Sequence, residues 1–140
     1  MVTVTVVTGP PCSGKSTYVR NHAKPGDIVI DFDAMAQAFG SPTPHDHSAA
    51  TRHVTIMARR AAIAAALTVN GADVWIVDCN IGRDRLRDYQ RVGANIVGLD
   101  VDRAELHARA GRERPKLWHR LIDEWHPVVQ AERVGSSREW

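Results

Sequence analysis

Gly9-Pro10-Pro11-Cys12-Ser13-Gly14-Lys15-Ser16-Thr17 is the stretch on which the reading of this chain turns. Residues 9–16 match G-x-x-x-x-G-K-[ST] at every fixed position. The two glycines let the backbone curl so that successive N–H groups converge on one concavity, where phosphate oxygens bind. The helix that opens there adds the positive end of its dipole. Lys15 then reaches the β- and γ-phosphates, and the Ser16 hydroxyl becomes a ligand for Mg²⁺. On this reading Gly9, Pro11, Cys12, Ser13, Gly14, Lys15, Ser16 and Thr17 surround bound ATP. Cys12 holds a variable position of the motif, and its thiol is expected close to phosphate.

The flanks supply the context that such a loop needs. Val2 to Thr8 is rich in β-branched residues and predicts a buried strand, and Lys15 to His22 can continue as a helix. Pro25-Gly26-Asp27 predicts a turn, followed by a short strand Ile28–Ile30 that ends at Asp31-Phe32-Asp33. Residues 40–44 are rich in breakers and predict a loop. From about Ser48 to Val69 the chain is Ala-rich, without Gly or Pro, and predicts one long helix. Strands are predicted at Val74–Val77 and Asn95–Leu99, with a helix near Arg83–Arg91 between them. Helices near Arg103–Ala110 and Lys116–Trp125 precede a polar end. Short apolar strands alternating with helices belong to a parallel sheet with right-handed crossovers. The expected fold class is therefore α/β, a three-layer P-loop NTPase fold with about four parallel strands, in one domain spanning 1–140.

Composition sets the outer bounds. The 140 residues are 44% hydrophobic and 24% charged, ordinary for a globular protein. Net charge is +2, from 18 Lys and Arg against 16 Asp and Glu, too balanced for a non-specific nucleic-acid coat. No apolar run is long enough to span a membrane, and the start lacks the basic and small-residue pattern of a signal peptide. Two cysteines, Cys12 and Cys79, cannot make a disulfide framework, so a cytoplasmic setting is expected.

Ligands of open parallel sheets sit beyond the carboxyl ends of the strands, and several predicted strands here end in acids. Asp78 follows an apolar strand in the Walker B pattern, where an acid helps organise Mg²⁺. Asp31 or Asp33 could face the phosphate loop and accept a hydroxyl proton as the oxygen attacks the γ-phosphate. The intervening Phe32 implies that the two point to different sides, so only one should face the cleft. Asp100 and Asp102 read as turn or helix-capping residues. His45-Asp46-His47 reads as loop residues near a helix start rather than a metal site. Residues 103–120 hold six basic side chains and could form an Arg-bearing lid, with Arg109, Arg112 and Arg114 around Gly111. Leu117, Trp118, Leu121, Ile122 and Trp125 recur at helical spacing and read as core packing.

Together, Gly-Pro-Pro-Cys-Ser-Gly-Lys-Ser-Thr, Ile30-x-x-Asp33, Asp78-Cys79-Asn80 and the Arg-rich segment resemble the phage-type polynucleotide 5′-hydroxyl kinases, the kinase half of polynucleotide kinase-phosphatase. The resemblance implies that Lys15 and Ser16 bind ATP-Mg²⁺ and that Asp33 is the general base for a 5′-OH end of DNA or RNA. It further implies that Arg109, with Arg112 or Arg114, contacts the transferring phosphate. The phosphatase motif Asp-x-Asp-Gly-Thr does not occur. Where that family carries an Arg that touches the acceptor strand, three residues after the base, this chain has Ala36. Arg52, Arg59 and Arg60 could meet backbone phosphates instead. Two alternatives remain at this point: a small-molecule P-loop kinase, and an AAA-like ATPase or nucleotide-binding switch.

Overall fold

The computed structural model describes residues 2–114, 116–127 and 131–135. Its centre is β1 (Val4–Thr8), five residues that are all buried. Such a strand can lie only inside a sheet covered on both faces. β1 pairs in parallel with β3 (Val74–Val77) on one side and β4 (Asn95–Asp100) on the other. β2 (Ile28–Ile30) pairs with β3, and β5 (Glu132–Gly135) with β4. The order is β2-β3-β1-β4-β5, all parallel. The three-layer α/β expectation holds, with five strands rather than four. The fifth was missed because Glu132-Arg133-Val134-Gly135 lies at an edge, where the burial that makes inner strands apolar is relaxed.

Helices cover both faces. α1 (Lys15–His22) brings Val19 onto Val7, Val77, Val97 and Leu99 on one face. On the other, α3 (Ala49–Ala66) and α4 (Arg83–Arg91) bring Ile63, Ala66 and Tyr89 onto Val4, Val6, Val74, Ile76 and Ile96. Burying each Val, Leu or Ile side chain contributes about 1.5–3 kcal/mol. α3 starts at Ser48, whose hydroxyl accepts the Thr51 N–H at 3.1 Å as an N-cap. α5 (Arg103–Glu113) and α6 (Leu117–Glu124) pack Leu106, Ala110 and Ile122 against Cys12 of the phosphate loop. No described helix is long and apolar enough to cross a membrane.

One element was not anticipated. α2 (Phe32–Ala38) begins immediately after β2, with Asp31 as its N-cap. The expectation that Asp31 and Asp33 point to opposite sides assumed extended backbone there. In a helical turn that alternation is lost, and Asp31, Phe32 and Asp33 all line the same cleft.

Candidate active site

The turn from β1 into α1 is the expected phosphate loop. Its curl needs left-handed backbone at Cys12 (φ 67°) and Gly14 (φ 90°), and at Gly14 the missing Cβ removes a cost of roughly 1–2 kcal/mol. A side chain at Gly9 would put a Cβ 2.6 Å from Ser13 Oγ and 3.2 Å from Leu99 Cβ, so the loop closes only over glycine. The first hydrogen bond of α1 runs from Tyr18 N to Gly14 O, leaving the preceding amides without helical acceptors. No acidic side chain occupies the first turn and none caps it. Lys15 Nζ donates to Gly9 O (3.0 Å) and Pro10 O (2.8 Å), which folds its charge over the same loop. Free amides, an ammonium group and a helix N-terminus fit a polyphosphate. The Ser16 hydroxyl offers the hard oxygen that Mg²⁺ takes. It donates to Asp31 Oδ2 at 2.5 Å, so the N-cap residue of α2 orients the residue that ends the loop.

Across the cleft stands Asp33, in the first turn of α2. Its Oδ1 lies 2.7 Å from His47 Nε2 and its Oδ2 lies 3.1 Å from His45 Nδ1. Burial pushes the carboxyl up, but the two imidazole hydrogen bonds and their charge outweigh it and hold Asp33 below the ordinary carboxylate value. The described residues contain no cluster of His, Cys, Asp and Glu able to hold a metal. His45 and His47 are the hydrogen-bond partners of the Asp33 carboxylate. A reading of the loop from spacing alone could not see this, because the partner lies twelve to fourteen residues away on another element.

Asp78 directly follows β3 and lines the same cleft as Lys15 and Ser16. It is almost fully buried, with Arg59 3.4 Å from Oδ1, Arg85 3.5 Å from Oδ2, and the Tyr89 hydroxyl donating to Oδ2 at 2.9 Å. Two guanidinium groups and a phenol hold this carboxylate, whereas the acid that touches Ser16 is Asp31. Burial and the Asp78 charge drive the Tyr89 hydroxyl well above its ordinary value. Arg59 also donates to Val77 O at 2.7 Å.

The three lid arginines separate. Arg109 is buried, donating to Cys12 O and to Glu105 Oε1, each at 3.0 Å, so it ties α5 to the phosphate loop. Arg112 is exposed in the last turn of α5 and does not line the cleft. Arg114, at the end of α5, does line it, with its guanidinium 5.4 Å from the Trp118 ring centre. Asp102 takes the N-cap position of α5 without making a side-chain cap bond. The stripe on α6 divides as well. Ile122 is core, but Trp118, Leu121 and Trp125 line the cleft, and Trp125 Nε1 donates to Cys79 O at 2.8 Å. Periodicity marked an apolar face without marking that one edge of it overhangs a cavity. Of the arginines expected to meet an acceptor, Arg52 and Arg59 line the cleft and Arg60 does not. The cleft holds about 870 Å³, bounded by the loop, α2, α3, β3 and α6.

A family model described as AAA domain matches residues 4–116. The chain belongs to this family. Among solved structures, this AAA domain is similar to a gluconokinase from Sinorhizobium meliloti 1021, with TM-score 0.58 and 18% identity over 99% of this chain and 84% of that one. It is also similar to the tunicamycin resistance protein of Deinococcus radiodurans, with TM-score 0.60 and 15% identity over 96% of this chain and 86% of that one. No curated protein matches the AAA domain by sequence. The fold is that of a P-loop kinase-like domain.

Proposed function

We propose that this protein is an ATP-dependent kinase that transfers the γ-phosphate to a hydroxyl of a small molecule held in the cleft. The observation that carries the reading is the shared cavity: the Lys15 loop and the Asp33 carboxylate line one cleft. Its volume is that of a pocket for a nucleotide and a small second substrate. Lys15 and the α1 amides bind the phosphates. Asp33 takes the proton as the acceptor oxygen bonds to the γ-phosphorus and the bond to the β-phosphate oxygen breaks, its electron pair leaving with ADP. Arg114 lies where it can meet phosphate charge, and Trp118, Leu121 and Trp125 keep water off that side of the cleft. Ser16 would hold Mg²⁺, which when bound neutralises charge on the β- and γ-phosphates.

Two observations favour a small acceptor over a polynucleotide end. Ala36, at the position where the polynucleotide kinases carry a strand-contacting Arg, is fully buried inside α2. Arg60 stands outside the cleft. The name of the gluconokinase among the similar structures supports the same choice. A second reading, transfer to the 5′-OH end of DNA or RNA, is favoured by Arg20 and Arg52, which are exposed on the cleft's wall.

The test is transfer of labelled γ-phosphate from Mg-ATP to a panel holding gluconate, other sugar acids and polyols, nucleosides, and a 5′-OH oligonucleotide with its 5′-phosphorylated twin. Label on a small acceptor, lost in Lys15→Ala and Asp33→Asn, establishes the first reading. Label on the 5′-OH strand alone, weakening steeply with salt, establishes the second. Nucleotide turnover that no acceptor stimulates overturns both in favour of a nucleotide-driven switch.

A further inference from the structure

The loop between α2 and α3 reaches back over the first turn of α2 and closes a chain of polar atoms on Asp33. His47 is buried, with Nε2 2.7 Å from Asp33 Oδ1 and Nδ1 2.6 Å from Ser41 Oγ. Ser41 is buried too. Its hydroxyl lies 3.2 Å from Thr43 O, and its amide donates to Ala36 O at 3.0 Å, which fastens the loop to the far end of α2. The Phe32 ring lies 6.0 Å from the His47 ring, centre to centre. His45 stands differently. It is partly open to the cleft, bonds Oδ2 at 3.1 Å, and sets its ring edgewise to Trp118 of α6 at 6.1 Å.

The two oxygens of Asp33 therefore have unequal partners, one closed off and one open. We infer that His47, anchored through Ser41, is the positioning residue of Asp33: it fixes Oδ1 and so presents Oδ2 to the acceptor hydroxyl. The inference rests on the reading of Asp33 as the base.

Proton accounting gives His47 its part. While Asp33 is a carboxylate, the Nε2 proton is donated to Oδ1, and Nδ1 faces the Ser41 oxygen, whose own proton goes to Thr43 O. As the acceptor oxygen bonds to the γ-phosphorus, its O–H bond breaks and the proton passes to Oδ2. The carboxylic acid so formed keeps its Oδ1 contact with the Nε2 proton, so no rearrangement accompanies the transfer. Misplacement of a base by about 1 Å can cost on the order of 100-fold in rate. A ring held at both nitrogens in a buried pocket is what prevents it.

The test has a spectroscopic arm that needs no acceptor. In ¹⁵N-labelled full-length protein, the His47 ring should show a proton on Nε2 protected from solvent exchange and a hydrogen-bonded Nδ1. Asp33→Asn should move the Nε2 signals, and Ser41→Ala should move Nδ1. His47 signals identical in wild type and Asp33→Asn would overturn the inference. In the kinetic arm, with the acceptor that the transfer panel labels, His47→Ala should lower kcat by about 10- to 100-fold, with KM for ATP within about twofold. His47→Gln, which keeps a donor toward Oδ1, should recover part of the loss. Ser41→Ala, which leaves the cleft lining intact, should lower kcat in the same direction. Wild-type kcat in both His47→Ala and Ser41→Ala would overturn the inference and leave Asp33 as the base. Wild-type kcat in Asp33→Asn would instead overturn the base reading, and the kinetic part of the inference with it.

Discussion

Asp31 bonds forward and backward at once: Oδ2 takes the Ser16 hydroxyl at 2.5 Å, and Oδ1 takes the Asp33 N–H at 3.1 Å. One carboxylate joins the end of the phosphate loop to the start of the helix that carries Asp33. Asp31→Ala should remove both. Loss of the cap costs about 1 kcal/mol, or about 3 °C in melting temperature for a chain of this length. Mg-ATP should also bind several-fold more weakly. Asp31→Asn should restore most of the melting temperature. Thermal melts and nucleotide titrations of the two variants check both effects.

Asp78 offers a sharper contrast between a structural and a metal-holding acid. Asp78→Asn leaves Arg59 and Arg85 facing a neutral amide inside the fold, and breaking a buried pair in this way costs about 3–5 kcal/mol. Tyr89→Phe, which removes one hydrogen bond to the same carboxylate, should cost about 1.5–3 kcal/mol. Denaturant unfolding measures both. An Asp78→Asn protein with wild-type stability and a raised Mg²⁺ requirement would return Asp78 to the metal.

Stability should fall at both ends of the pH scale. The Asp33 carboxyl lies below its ordinary value when folded, so its contribution is present above about pH 4 and is lost as pH falls through the folded value. The Tyr89 hydroxyl is raised, so its contribution is complete below about pH 10 and is lost as pH climbs beyond that. Melting temperature followed against pH should lose its acid limb's Asp33 share in Asp33→Asn and its alkaline limb's Tyr89 share in Tyr89→Phe.

Arg109 and Arg112 are three residues apart and should behave differently. Arg109→Ala breaks the buried tie from α5 to Cys12 O and should lower both stability and nucleotide affinity. Arg112→Ala changes an exposed side chain outside the cleft and should stay within about 0.5 kcal/mol of wild type. Equal losses of phosphoryl transfer in the two, at unchanged stability, would count for a shared lid role instead.

The phosphate loop was legible because its chemistry demands fixed residues at fixed spacing, and nothing else in the chain is so constrained. The inner strands were legible because burial on both faces favours short runs rich in β-branched residues. What stayed hidden depends on who meets whom. Asp33 could be singled out, but its histidines could not, since His45 and His47 are ordinary loop residues until α2 turns Asp33 toward them. Asp78 was found by pattern, and only the packing of α3 and α4 reveals that two arginines hold it. α2 escaped notice because Phe32-Asp33-Ala34 carries no strong helix signal, and the Asp31 cap is visible only once the turn exists.

The central place of β1 has a consequence for how the molecule comes together. Val4 pairs with Val74 and Thr5 with Asn95, so the first strand in sequence finds both its partners late. Distant pairings of this kind are slow to form, because long stretches of chain must be closed before any contact repays them. The phosphate loop hangs from the end of β1 and takes its shape only after those pairings exist. Nucleotide should therefore slow unfolding while leaving the refolding rate nearly unchanged, so that ATP acts as a latch on the finished sheet and not as a template for making it.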